Sequence, residues 1–87
     1  MYSKKTVITN KTGLHARPAS FFVKETAKYK AHIIIKVNAK EYNAKSILNV
    51  LSAGIKCGTE IELLATGEDE EEAIEGLVAA IQSGLGE

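Results

Sequence analysis

The 87 residues include one cysteine, one proline, one methionine and no tryptophan, and only 6% are aromatic. A lone Cys57 closes no disulfide within the chain, and the first twenty residues lack the apolar stretch of a signal peptide. A cytoplasmic protein is therefore expected. Apolar clusters such as Ile33–Ile35 fall far short of the roughly 20 residues that span a bilayer, so no membrane insertion is expected. With one Pro18 and seven glycines there is little linker material, and the only biased tract is acidic, Glu68–Glu72. Residues 1–87 read as one domain. A domain of this size buries only about 60 to 65% of its unfolded surface, which leaves little volume for an enclosed site, and no cofactor is expected. His15, His32 and Cys57 are too few and too badly spaced for a zinc site, and the sequence holds neither a glycine-rich phosphate loop nor a Ser-His-Asp set. Tyr29 and Tyr42 do not interleave with Lys4, Lys5, Lys36, Lys40 and Lys56 as stacking platforms would, so no nucleic-acid partner is expected.

What is present is ordinary for a globular domain, 45% hydrophobic and 25% charged, but the charge is unevenly distributed. Residues 1–59 hold all eleven bases and only Glu25 and Glu41, a net +9, whereas residues 60–87 hold nine acids and no base, a net −9. The two parts cancel only if they fold together.

Periodicity supplies the elements. Residues 2–9 are β-prone. Residues 10–14 are rich in turn formers, and a helix over 16–28 places Ala16, Ala19, Ser20, Val23 and Ala27 at helical spacing with Pro18 in its first turn. Residues 32–37 and 60–66 alternate as half-buried strands, with Ile33, Ile35 and Val37 on one face of the first and Ile61, Leu63 and Ala65 on one face of the second. Asn38-Ala39 turns the chain into a strand over 40–43, though Ala39 must avoid or strain a positive φ. Ser46 caps a short helix over 47–52 that stops at Gly54. Asp69 caps a last helix, with Glu72 at capping-box distance and Glu70, Glu71 and Glu72 in the first turn. Ala73, Ile74, Leu77, Val78 and Ile81 form its apolar stripe. The order β-α-β-β-α-β-α predicts an α/β (α+β) sandwich, with helices on one face of a mainly antiparallel sheet.

The segment Gly13-Leu14-His15-Ala16-Arg17-Pro18-Ala19 carries the chemistry. It places an imidazole at the N-cap of a helix and a guanidinium two residues later. A helix N-terminus offers free N–H groups and partial positive charge, both of which stabilise an anion. An imidazole nitrogen is a competent nucleophile. A phosphoryl group on it would be met by the amides of Ala16 and Arg17 and by the Arg17 fork. Favourable charge at a helix end contributes about 0.3 to 2 kcal/mol, enough to tune a phosphorylated state without locking it. An isolated His-x-Arg is nonetheless more often a polar helix start with a solvated arginine.

Residues 12–20 (TGLHARPAS) and 43–55 (NAKSILNVLSAGI), at their separation in a chain of this length, resemble HPr, the histidine-containing phosphocarrier family of the bacterial phosphoenolpyruvate-dependent sugar phosphotransferase system. The resemblance covers essentially the whole chain. It implies an open-faced sandwich with strand order 1-4-2-3 and three helices on one face. It implies that His15 is phosphorylated on Nδ1 by enzyme I and emptied by enzyme IIA domains, with Arg17 assisting the phosphoryl group. It also implies a second site at Ser46, phosphorylated by an HPr kinase/phosphorylase in carbon catabolite repression, with a catabolite-control transcription regulator as partner. No metal is needed for the transfer.

A six-residue helix does not easily bury Ile47, Leu48 and Leu51 together, so Leu48 and part of the other two are expected to form an exposed apolar docking patch beside His15. Ala16, Ser20, Lys24 and Lys45 complete the expected partner surface, which gives a locally positive face near His15. Against the commoner family pattern, Asn49 stands where Gly is usual, Leu48 and Leu51 replace methionines, Ala53 replaces a larger aliphatic, and Cys57 occupies a usually polar position. A paralogue, the catabolite-repression HPr-like protein, has a similar serine helix but lacks the active-site histidine. A module acting mainly through phosphorylated Ser46 is the alternative, and the retained His15 argues against it. With strand order 1-4-2-3, Glu60 and Glu62 would lie between Lys5 and Lys36, where cross-strand pairs would offset part of the charge asymmetry.

Overall fold

The computed structural model describes residues 1–86. The elements are β1 (Tyr2–Val7), α1 (Ala16–Thr26), β2 (His32–Val37), β3 (Lys40–Asn43), α2 (Ile47–Ser52), β4 (Glu60–Thr66) and α3 (Glu70–Gln82). The strands make one antiparallel sheet in the order β1-β4-β2-β3, so the expected topology is the observed one. Strict alternation fixes which face is inside. Ile33, Ile35 and Val37 of β2 and Ile61, Leu63 and Ala65 of β4 are buried under the helices, while His32, Lys36, Glu60 and Thr66 stand in solvent on the open face. Among the described residues no helix is long and apolar enough to cross a membrane.

Two strand details differ from expectation. β1 ends at Val7 rather than Thr9, because Ile8 leaves the ladder to bond Thr59 and Gly58 while its side chain enters the core. The β2–β3 turn is the tight two-residue form: Val37 pairs with Lys40, and both Asn38 and Ala39 take positive φ, 51° and 65°. That is the type I′ pattern, so Ala39 takes the strained conformation rather than avoiding it.

The first helix is rotated from its expected setting. Its buried residues are Pro18, Ala19, Phe22 and Thr26, with Val23 half-buried, whereas Ala16, Ser20 and Ala27 are exposed and the helix stops at Thr26. Burial of one aromatic ring, which removes about 150 to 250 Å² from water, outweighs the alignment of small residues. Phe22 is fully buried and turns the helix with it.

Asp69 also departs from expectation. It sits at the N-cap of α3, but its side chain makes no cap bond there. Both carboxylate oxygens reach across the fold, accepting the backbone N–H groups of Lys30 and Ala31 at 2.8 Å each. The reciprocal contact at the start of α3 belongs instead to Glu70, whose Oε1 accepts the Gly67 N–H at 3.1 Å. Asp69 thus ties the entry to β2 onto α3. The Lys30 N–H bond, opposed by desolvation and helped by the Ala31 N–H, holds its carboxyl below the ordinary carboxylate range.

Phe22→Ala should cost about 3 to 5 kcal/mol, a large part of a total of roughly 5 to 15 kcal/mol, and urea denaturation will read it as a lower midpoint. Because the Asp69 carboxyl is held low in the folded state, its contribution is present above the unfolded pKa near pH 4 and is lost as pH falls through the folded value. Asp69→Asn should lower the melting temperature at neutral pH and flatten the decline that the parent protein shows below about pH 4. An equally steep acid decline in the variant would contradict that role.

Candidate functional site

The loop before α1 is built to present one side chain. Asn10 is buried, and its Nδ2 donates to the Gly13 carbonyl at 2.7 Å while the Gly13 N–H returns to the Asn10 carbonyl at 3.1 Å. Gly13 has φ 66°, and a Cβ there would collide with the Ile55 carbonyl oxygen and lie 2.8 Å from Lys56 Cα. Only glycine permits that approach. It lets the Leu14 N–H donate to the Ile55 carbonyl at 2.9 Å, with the Leu14 side chain sunk in the core at 1% exposure. His15, the next residue, is extended, with φ −137° and ψ 152°, and is exposed.

His15 is the N-cap of α1, and its side chain makes no capping bond. Its imidazole is not committed to holding the helix. Ala16, the first helical residue, has φ 52°, the left-handed region. For a residue with a Cβ this conformation costs on the order of 1 to 3 kcal/mol and marks a backbone held by its surroundings. Sequence reading had no signal for this, since alanine at a helix start looks ordinary. Pro18 in the first turn has no N–H, so the free donors beside His15 are those of Ala16 and Arg17. Arg17 is exposed and makes no ion pair among the described residues. It lines an open hollow of about 490 Å³ with Thr12, Ala16, Pro18 and Gly86. Thr12 and Gly86 were not singled out from the sequence. Gly86 reaches the hollow through a close approach to the Phe21 ring, where a Cβ would lie 3.1 Å from Cδ2.

The other candidate residues lie along two neighbouring helices. α1 and α2 pack together, and their directions are set at both ends. Leu14, before α1, bonds Ile55, after α2, whereas Lys45, before α2, donates its ammonium at 2.6 Å to the Tyr29 carbonyl, after α1. The helices therefore run antiparallel. His15 sits at one end of the pair and Ser46 at the other, so the structure does not bring the two together. Lys45 does not rim His15 either. Its ammonium is held at the far end of α1, an 11-residue helix about 16 Å long. Arg17, Ser20 and Lys24 follow one exposed stripe of α1 at helical spacing, with Lys24 in the last turn, so positive charge is spread along the helix and not gathered at the histidine.

On α2, Leu48 is 75% and Ile47 37% exposed, Leu51 is half-buried against the core, and Val50 supplies the buried anchor. Leu48 and Ile47 thus form the apolar part of this surface. Ser46 caps the helix: its Oγ accepts the Asn49 N–H at 3.3 Å and the Asn49 side-chain amide at 3.2 Å. The second bond needs the asparagine at position 49.

The sequence and the fold are similar to those of known proteins. The family pattern described as the PTS HPr component phosphorylation site matches residues 2–83. The HPr-like protein Crh of Bacillus subtilis is 43% identical over 82 residues, covering 94% of this chain and 96% of its own. The phosphocarrier protein HPr of Mycoplasma capricolum is 49% identical over 71 residues, covering 82% of this chain and 80% of its own. A crystal structure of HPr-C-His from Thermoanaerobacter tengcongensis superposes with a TM-score of 0.97 at 46% identity, covering 100% of this chain and 98% of that one. An open-faced sandwich of this topology, matched across residues 2–83, places the chain in the HPr family of phosphotransferase-system phosphocarrier proteins.

Proposed function

We propose that His15 is the residue that carries the phosphoryl group, accepting it on Nδ1 from phospho-enzyme I and passing it to sugar-specific enzyme IIA domains during sugar uptake, in the cytoplasm. The observation that carries this reading is an exposed imidazole at the N-cap of α1 with no capping bond of its own, followed by the free amides of Ala16 and Arg17. In the transfer, the Nδ1 lone pair attacks phosphorus in line, and the bond from phosphorus to the donor histidine breaks with its electron pair returning to that imidazole. The reverse geometry delivers the group to the next histidine. The phosphoryl charge is spread over its oxygens, so the work of this chain is positioning and charge stabilisation. The two amides and the Arg17 guanidinium supply it, and no metal or cofactor enters the step. The chain is a carrier, with the catalytic framework shared by its partners. Those partners dock on Ala16, Ser20 and Lys24 of α1 and on Ile47, Leu48 and Leu51 of α2, with Lys45 contributing at the Ser46 end.

A second role is supported by the N-cap geometry of Ser46 and by the relation to Crh, whose solved structures are described as a catabolite repression HPr. Phosphate on Ser46 would bring about −1.5 to −2 of charge to a helix start already arranged to donate to that oxygen, so the fold should tolerate it. HPr kinase/phosphorylase would add the group, and a catabolite-control transcription regulator would read it.

One paired experiment separates the roles. Incubation with enzyme I and phosphoenolpyruvate should give an acid-labile phosphoprotein that is absent in His15→Ala and retained in Ser46→Ala. Incubation with the kinase and ATP should give an acid-stable one with the opposite dependence. Label retained by His15→Ala in the first reaction would remove the carrier reading, and an unmodified Ser46 in the second would remove the regulatory one.

A further inference from the structure

The sheet face turned away from the helices carries no other element of the described chain. Its side chains fall in rows across the strands, because residues directly opposite in an antiparallel pair project from the same face. One row reads Ser3, Leu64, Ile34, Asn43 from β1 to β3, and the next reads Lys5, Glu62, Lys36, Glu41. The first is apolar in its centre and polar at both edges, with Leu64 and Ile34 half-buried. The second alternates strictly in sign. None of its four charges makes an ion pair within 4 Å among the described residues, so all four are available to an outside partner.

This pattern is complementary to itself under one symmetry. A two-fold axis lying in the face, parallel to the strands and midway between β4 and β2, carries β1 onto β3 and β4 onto β2. Lys5 then meets Glu41 of the partner subunit, and Glu62 meets Lys36 of the partner subunit. In the neighbouring row Leu64 meets Ile34 of the partner subunit, and the polar edges Ser3 and Asn43 face each other. An in-plane axis across the strands stacks each charge on its own copy when it runs along the charged row, and sets charges on Leu64 and Ile34 when it runs midway between the two rows, so neither placement is complementary. We propose that the open sheet face is a self-complementary docking surface for a second copy of this chain, giving a face-to-face dimer with four Lys–Glu contacts in one row beside a small apolar patch.

Face-to-face sheets pack about 10 Å apart, which long Lys and Glu side chains bridge while Leu and Ile fill the middle. Four strands about 4.8 Å apart and some 20 Å long make a footprint of roughly 19 by 20 Å. That is small for a specific interface, so the dimer is a weak one, populated at high protein concentration. The helical layer remains on both outer faces with His15 uncovered, so the proposal does not depend on the phosphocarrier reading.

Analytical ultracentrifugation of the whole protein at low ionic strength, up to about 1 mM, tests it. The average mass should rise from 9.4 kDa toward twice that value and fall back as salt is added. Glu62→Lys and Lys36→Glu should each weaken association by more than about tenfold through like-charge contacts, and the double variant should restore it because the exchanged pair is again complementary. Circular dichroism and the melting temperature of each variant confirm that the fold is intact. A protein that stays at 9.4 kDa throughout would overturn the proposal. So would a dimer indifferent to both reversals, which would use another surface or a strand exchange, or a double variant as weak as either single one.

Discussion

The exposure of His15 rests on one backbone hydrogen bond, from Leu14 to Ile55, and on the absence of a side chain at Gly13 that allows it. Burying Leu14 fixes the chain one residue before the histidine, and the extended conformation of His15 turns the next side chain outward. The strained φ of Ala16 follows from the same constraint. The chain must pass from a residue anchored on the loop after α2 directly into a helix whose own direction is fixed by the buried Phe22. Anchoring on both sides leaves the helix start with little freedom, so its amide donors are set in place before any anion arrives.

The antiparallel pairing of α1 and α2 sets His15 and Ser46 at opposite ends of one exposed surface. His15 lies at the end fastened by Leu14 and Ile55, and Ser46 at the end fastened by Lys45 and Tyr29. The exposed Ile47 and Leu48 lie at the Ser46 end of α2. A partner that covers this apolar surface while reaching His15 would pass close to Ser46, so charge placed there can be felt in docking with no change in the histidine itself. The charge asymmetry of the sequence is absorbed elsewhere. Glu75 of α3 binds Lys4 at 2.6 Å and Tyr2 Oη at 2.7 Å, Glu70 pairs with the N-terminal ammonium, and Asp69 is spent on backbone amides. Acid from the last third of the chain is thus drawn to β1 and to the entry of β2, and Arg17 is left without an ion pair among the described residues.

Much of the fold was legible because alternation and capping act locally. The strands at 32–37 and 60–66 declare their inner faces residue by residue, and Ser46 caps its helix as its chemistry requires. Strand order came from the family resemblance, since four strands of similar character do not state their neighbours. What stayed hidden depends on tertiary competition. The rotation of α1 is decided by which residue gains most from burial, and Phe22 outweighs a row of alanines that looked regular in sequence. Asp69 had a good local use as a cap and a better distant one in two converging N–H groups. The left-handed Ala16 carries no local signature at all. In the candidate site, the histidine and its arginine could be read from their motif, whereas the removal of Lys45 to the far end of the helix depended on a contact with a carbonyl 16 residues away in sequence.

The central claim is that the start of α1 is set in advance to hold a phosphoryl group on His15 Nδ1. Nitrogen-15 and phosphorus-31 NMR of the phosphorylated protein tests it most directly. Phosphorus should couple to His15 Nδ1, the amide protons of Ala16 and Arg17 should shift downfield, and the amides of β2 and β4 should stay in place. Attachment at Nε2, or Ala16 and Arg17 amides that do not respond, would contradict it.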